Sequence, residues 1–208
     1  MEVDYSIYLV TDRGLLQGRD LLTAVAEAIE GGVTLIQLRE KEVSSREFYQ
    51  IALKVKELAH SREVPLLIND RLDIALAVDA DGLHIGQEDL PLQVARKILG
   101  PDKIIGLSVS NLEEAVQGER EGADYLGAGA VYPTTSKDVS EAPIGPDGLK
   151  KIKEAVSIPV VGIGGIGLAN IEEVKRTGVD GVAVISAIMG AADIKDAARK
   201  LADAWRRS

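Results

Sequence analysis

The 208-residue sequence contains no cysteine. Disulfide bonds, thiolate nucleophiles, iron–sulfur clusters and cysteine-ligated zinc are excluded together. Histidine is almost missing too: His60 and His84 are the only two, too few for a histidine-rich metal centre. Any metal would have to be held by carboxylates, which favours magnesium-like ions. No apolar run reaches the ~18 residues of a membrane-spanning helix. The start, Met1-Glu2-Val3-Asp4, lacks the basic stretch of a secretory signal, so the expected address is the cytoplasm. Basic residues number 24 against 33 acidic ones, for a net charge of −9. No basic run offsets this, so the chain carries no electrostatic footprint for nucleic acid.

What is present is an ordinary globular balance, 46% hydrophobic and 27% charged residues. A chain of this size can bury roughly 70% of its unfolded surface and needs no covalent staple. Short β-branched runs alternate with longer runs of helical period. The runs Ile7–Thr11, Val33–Leu38, Pro65–Asn69, Gly82–Ile85, Lys103–Leu107, Tyr125–Gly127, Ile158–Gly162 and Gly181–Ile185 read as strands. Most are continuously apolar, as parallel strands covered on both faces are. Between them, Asp20–Glu30 and Ser44–Leu58 read as capped amphipathic helices, and a last helix runs from about Ala192 to Arg206. Eight strand–helix units predict a (βα)8 barrel, with a doubly wound sheet as the alternative. A recurring phrase favours the barrel. Gly31-Gly32-Val33-Thr34, Gly122-Ala123-Asp124-Tyr125 and Gly178-Val179-Asp180-Gly181, with a looser copy at Asp79-Ala80-Asp81-Gly82, precede every second strand. Glycine there ends a helix in the left-handed conformation. With no linker or low-complexity segment, residues 1–208 are expected to form one catalytic barrel.

In such a barrel the chemistry sits at the C-terminal strand ends. Strand two ends Gln37-Leu38-Arg39-Glu40-Lys41. Gln37, Arg39 and Lys41 alternate and are expected to share the mouth-facing side, two cations and an amide suited to a phosphate-bearing ligand. Asn69-Asp70-Arg71 and His84-Ile85-Gly86-Gln87-Glu88-Asp89 follow strands three and four. Asp70 and Asp89 would lie at neighbouring strand mouths as a carboxylate pair for magnesium; each could instead cap the helix that follows. His84, inside a strand, reads as a packed core residue. Ser108, after strand five, can donate to a phosphate, and Ser110 or Asn111 caps the next helix. The hydroxyl-rich stretch from Tyr132 to about Pro146, with Thr134, Thr135, Ser136 and Lys137, reads as an active-site lid. Gly162-Ile163-Gly164-Gly165-Ile166-Gly167 formally matches a dinucleotide fingerprint, but no acidic ribose partner follows the next strand. It reads better as an amide cradle for one phosphate, completed by Ile185-Ser186. The strand ends thus offer a cationic anion site and a neutral one, fit for two phosphorylated small molecules. No Ser–His–Asp or Cys–His set exists for acyl transfer.

Tyr8-Leu9-Val10-Thr11-Asp12, Gln37-Leu38-Arg39-Glu40-Lys41, Leu67-Ile68-Asn69-Asp70-Arg71, His84 to Pro91, Pro133-Thr134-Thr135-Ser136-Lys137 and Gly162-Ile163-Gly164-Gly165-Ile166 together resemble the thiamine-phosphate synthase family. The resemblance spans nearly the whole chain. It implies a (βα)8 barrel that joins a hydroxymethylpyrimidine diphosphate to a thiazole phosphate, or its carboxylated form, releasing pyrophosphate. By the family's pattern Gln37, Leu38, Arg39, Glu40, Lys41, Asn69, Ser108 and Lys137 bind the pyrimidine diphosphate. Arg39, Lys41, Ser108 and Lys137 carry the catalysis, and Asp70 and Asp89 hold Mg2+. Thr134, Thr135, Ser136, Gly165, Ile185 and Ser186 bind the thiazole phosphate. Ser136 stands where threonine is common, which keeps the donor and loses a methyl. The implied mechanism is dissociative, needing neutralised leaving-group charge and no side-chain nucleophile. A thiazole tautomerase or a non-catalytic phosphate-binding barrel are the rival readings, and a homo-oligomer stays open.

Overall fold

A computed structural model describes residues 3–134 and 142–207. Eight parallel strands close into a barrel in chain order: β1 Ile7–Val10, β2 Leu35–Leu38, β3 Leu66–Asn69, β4 Gly82–Ile85, β5 Ile104–Val109, β6 Tyr125–Gly129, β7 Val160–Ile163 and β8 Gly181–Val184. Pairing of β1 with β8, Tyr8 opposite Ala183 and Leu9 opposite Val184, closes the ring. That decides for the (βα)8 barrel over the doubly wound sheet. A 3-10 turn, Arg13–Leu16, leads to α1 Leu21–Glu30. Then come α2 Ser45–His60, α3 Leu72–Ala77, α4 Leu92–Leu99, α5 Leu112–Glu121, α6 Gly145–Ala155 and α7 Ile171–Lys175, and finally α8 Ser186–Met189 and α9 Ile194–Arg206. No helix among the described residues is long and apolar enough to cross a membrane.

The helices start where the caps predict. Asp20 accepts the Thr23 amide at 2.8 Å and Ser44 accepts the Glu47 amide at 3.2 Å. Between Ser110 and Asn111 the cap of α5 is Asn111, which accepts the Glu114 amide at 2.9 Å, while the Ser110 amide donates to Glu114.

Strand parity sorts the core into two layers. Ile7, Leu9, Ile36, Leu38, Leu66 and Ile68 face the helices in one large cluster. Tyr8, Val10, Leu35, Leu67, Tyr125, Val161 and Ala183 fill the barrel interior. By the same alternation Gln37, Asn69, His84 and Ser108 continue the inward rows toward the C-terminal mouth. The structure carries β5 to Val109, past the expected end at Leu107, and so places Ser108 on a strand rather than in a loop.

The recurring phrase closes the opposite end. Thr34, Asp81, Asp124 and Asp180 stand just before β2, β4, β6 and β8. Each accepts, through its side chain, the amide of a residue opening the preceding strand: Ile7 (3.1 Å), Leu66 (2.7 Å), Ile105 (2.6 Å) and Val160 (2.7 Å). Each returns its own amide to the same residue's carbonyl. His60, Arg96 and Lys153 pair the three aspartates in turn. The residues before them take left-handed φ, Gly32 at 107°, Asp79 at 52°, Gly122 at 92° and Gly178 at 84°, a region that favours glycine. A fourfold clamp thus fixes the stable face and leaves the other end for chemistry.

Candidate active site

The cationic half is built by the ends of β1 to β4. The Lys41 ammonium donates to Asp70 Oδ2 at 2.8 Å. Asp70 leaves β3 at a left-handed φ of 59°, and its carboxyl comes within hydrogen-bonding reach of the Asp89 carboxyl. Burial, with the Asp70 charge beside it, raises the Asp89 carboxyl above the ordinary aspartate range, against the lowering effects of the Gly86 amide and of Lys41. Neither aspartate caps a helix. Asp89 Oδ2 accepts the Gly86 amide at 2.7 Å, and the cap positions of α3 and α4 are Arg71 and Pro91, neither making a side-chain cap bond. The capping alternative fails because Arg71 and Pro91 take the two cap positions themselves.

Arg39 Nη1 stands 3.7 Å from Asp12 Oδ2, a loose pairing. Its Nε is buried with no partner among the described residues. A buried guanidinium donor left open is costly unless a ligand accepts from it. Two adjacent carboxylates likewise fit a hard divalent cation, which removes their repulsion. No group of three or more ligating side chains occurs among the described residues, so water and substrate oxygens would have to complete the shell, as suits magnesium.

The other half is a cavity of about 200 Å³ at the ends of β5 to β8, lined among others by Ser108, Thr134, Gly164, Gly165, Ile185 and Ser186, with Glu114 the charged residue on its wall. Gly165 has a φ of 65°, and a Cβ there would lie 2.7 Å from the Pro133 carbonyl oxygen and 2.8 Å from Tyr132 Cβ. Only glycine lets the β7 loop pack this closely on the β6 loop. Asn170 holds that loop from behind, donating to the Gly165 carbonyl and accepting the Gly167 amide, both at 2.9 Å. Ser186 opens α8 at the cavity wall.

Not every expected residue meets at the mouth with its side chain. Gln37, expected beside Arg39 and Lys41, lies deeper, 3% exposed, and donates to the Tyr8 hydroxyl at 2.7 Å inside the barrel. The Leu38 side chain packs against the helices. Glu40 turns to Arg13, which donates from Nε at 3.0 Å, and burial raises its carboxyl. Asn69, 4% exposed, sits inward at the end of β3. Thr135, Ser136 and Lys137, and with them most of the expected lid, lie outside the described residues. Sequence reasoning overlooked Tyr8 and Tyr125, which touch the polar interior row; their inward parity was the available signal. It read His84 as packed, and the residue is 5% exposed and bonded on both ring nitrogens.

A closed (βα)8 barrel with a carboxylate pair, an open Arg39 donor and a cavity walled by Gly164, Gly165 and Ser186 at its strand ends defines an enzyme of phosphorylated small molecules. A family model described as thiamine monophosphate synthase matches residues 7–188. Among the relatives, the thiamine-phosphate synthase of Desulfitobacterium hafniense is 64% identical, over 99% of this chain and 100% of its own. That of Syntrophomonas wolfei is 57% identical over 99% and 98%. A solved thiamine phosphate pyrophosphorylase from Pyrococcus furiosus superimposes with a TM-score of 0.90 at 48% identity, covering 97% of this chain and 96% of that one. The chain belongs to the thiamine monophosphate synthase family.

Proposed function

We propose that the chain joins the pyrimidinylmethyl group of 4-amino-2-methyl-5-hydroxymethylpyrimidine diphosphate to the ring nitrogen of 4-methyl-5-(2-phosphoethyl)thiazole, or its carboxylated form, giving thiamine phosphate and pyrophosphate. The observation that carries this is the Asp70–Asp89 carboxylate pair with Lys41 against it, across the mouth from the neutral cradle of Gly165 and Ser186. One half suits a diphosphate and a divalent cation, the other a single phosphate.

Asp70 and Asp89 would hold magnesium, which when bound supplies positive charge to the leaving pyrophosphate. Arg39 and Lys41 neutralise the same oxygens, and by the family's pattern Lys137 joins them. The carbon–oxygen bond breaks with its electron pair leaving on pyrophosphate, and the thiazole nitrogen donates the pair that forms the new carbon–nitrogen bond. Ser108 lines the cavity at the ends of β5 to β8 and can donate to a leaving oxygen. Gln37 and Asn69 hold the pyrimidine from the barrel interior. Gly165, Ile185 and Ser186, with Thr134, Thr135 and Ser136, seat the thiazole phosphate. Leu38 and Glu40 act through the backbone and through Arg13 respectively, and residues 1–208 serve as one catalytic domain.

A thiazole tautomerase would need neither the carboxylate pair nor the open Arg39 donor. The test is an assay with both substrates and magnesium. Pyrophosphate and thiamine phosphate should form in equal amounts, each requiring both substrates. Isomerisation of the thiazole without pyrophosphate release would overturn the reading.

A further inference from the structure

Three of the five tyrosines, Tyr5, Tyr8 and Tyr125, lie inside the barrel. Two of them belong to an unbroken chain of hydrogen bonds that crosses it. Gln37 Nε2 donates to the Tyr8 hydroxyl at 2.7 Å. The Tyr8 and Tyr125 hydroxyls are 2.7 Å apart. Tyr125 meets His84 Nδ1 at 2.7 Å, and His84 Nε2 meets Ser108 Oγ at 2.8 Å. The last link, Ser108, lines the cavity.

Each hydroxyl has one proton to give and can accept more than one, so the direction follows from giving every buried proton an acceptor. Gln37 donates to Tyr8. Tyr8 then donates to Tyr125, and Tyr125 to His84 Nδ1. A neutral imidazole that accepts at Nδ1 carries its proton on Nε2 and donates to Ser108. The Ser108 oxygen is thereby used as an acceptor, and its own proton is left to point into the cavity. Burial keeps both phenols protonated, holding Tyr8 and Tyr125 far above the ordinary phenol range. The chain is also sterically built in: a Cβ on Gly106 would lie 2.1 Å from Tyr125 Cζ and 2.4 Å from its hydroxyl oxygen. The rings pack edge-on, Tyr8 to Tyr125 at 5.9 Å and 71°.

We propose that the interior chain Gln37–Tyr8–Tyr125–His84 is a one-way relay that locks His84 in its Nε2–H tautomer and presents Ser108 to the ligand as a hydrogen-bond donor. Tyr125 and His84 are then positioning residues, acting through Ser108. The acceptor is an anionic oxygen of the phosphorylated substrate, a point that rests on the proposed activity. The tautomer does not rest on it.

Two measurements separate these. The first is long-range proton–nitrogen NMR of the imidazoles, where only His60 needs to be told apart and His60→Gln removes it. His84 should show a protonated Nε2 and a bare Nδ1. A protonated Nδ1 would mean the chain runs backwards, with Ser108 donating to His84, and overturns the proposal even if Tyr125→Phe cannot be purified. The second is a double-mutant cycle with both substrates and magnesium. Tyr125→Phe keeps the ring and should lower kcat about two- to tenfold, the worth of one hydrogen bond, with KM for the thiazole phosphate unchanged. Tyr5→Phe, outside the chain of bonds, should be neutral. In a Ser108→Ala background the Tyr125→Phe loss should vanish; undiminished additive losses would refute action through Ser108. An unaltered protein that forms no thiamine phosphate sinks the activity reading alone, since the NMR result stands apart from turnover.

Discussion

Replacing Asp89 with asparagine should move stability and activity in opposite directions. Asp89→Asn keeps an oxygen to accept the Gly86 amide and removes a charge that burial and Asp70 make unfavourable. The folded state holds the Asp89 proton more tightly than the unfolded chain, so ionisation of this group opposes folding. Its penalty is absent below the ordinary aspartate range and present above the raised value. Without metal at neutral pH the variant should therefore be the more stable protein, by no more than about 1 kcal/mol because water screens a partly exposed site. The difference should fade as the pH falls through the carboxylate range. Magnesium reverses the order: at ten times its dissociation constant it stabilises the unaltered protein by about 1.4 kcal/mol, and the variant hardly at all. Turnover should fall on the order of a hundredfold, about 2.7 kcal/mol of lost charge stabilisation. Urea unfolding with and without magnesium, beside the pyrophosphate assay, measures all of these. A variant that loses about 1 kcal/mol of stability, as a broken cap does, yet turns over normally would refute the carboxylate-pair reasoning.

Arg39→Ala should weaken pyrimidine diphosphate binding and spare thiazole phosphate, while Ser186→Ala should do the reverse more mildly, by about 0.5–1.5 kcal/mol; calorimetric titration of each ligand decides, and equal effects on both would merge the two halves into one site. Gly165→Ala, strained at φ 65° and pressed on Pro133 and Tyr132, should raise KM for the thiazole phosphate at least tenfold by displacing the cradle, on the order of 1.4 kcal/mol; steady-state kinetics check this. Asp124→Ala should cost about 1–3 kcal/mol by leaving the Ile105 amide without its carboxylate acceptor and removing the anionic partner of Arg96 at the closed end of the barrel, with kcat unchanged; urea midpoints and turnover together test that separation.

The strands were readable because most are apolar on both faces, as parallel strands covered on both sides are. Closure was harder to read. It rests on β1 meeting β8, a contact between chain ends, and the sequence hinted at it only through the phrase repeated at every second strand. The phrase has a physical content that spacing alone does not state. Thr34, Asp81, Asp124 and Asp180 share one bonding role although one is a hydroxyl and three are carboxylates. Strand ends were less certain: β5 reaches Val109 with Ser108 turned inward to His84, a partner on the neighbouring strand β4 that no local pattern announces.

For the site, residue type was informative and pairing was not. Arg39, Lys41, Asp70 and Asp89 stand out as charges at the ends of apolar strands. Whether Asp70 caps a helix or faces Asp89 depends on a left-handed backbone at Asp70, which no neighbouring residue announces. Gln37 shows the same limit from the other side. Its alternation with Arg39 and Lys41 held only while the strand lasted. β2 ends at Leu38, so Gln37 stays in the barrel while Arg39 and Lys41 follow the loop outward. Parity becomes decisive once the register is known: Tyr8, Gln37, His84, Ser108 and Tyr125 all fall on inward positions of their strands. In an interior otherwise lined by Val10, Leu35, Leu67 and Val161, polar groups are tolerated only when they satisfy one another. A chain of five such groups, ending at the cavity wall, is therefore specified by the substrate end of the barrel as much as by its packing.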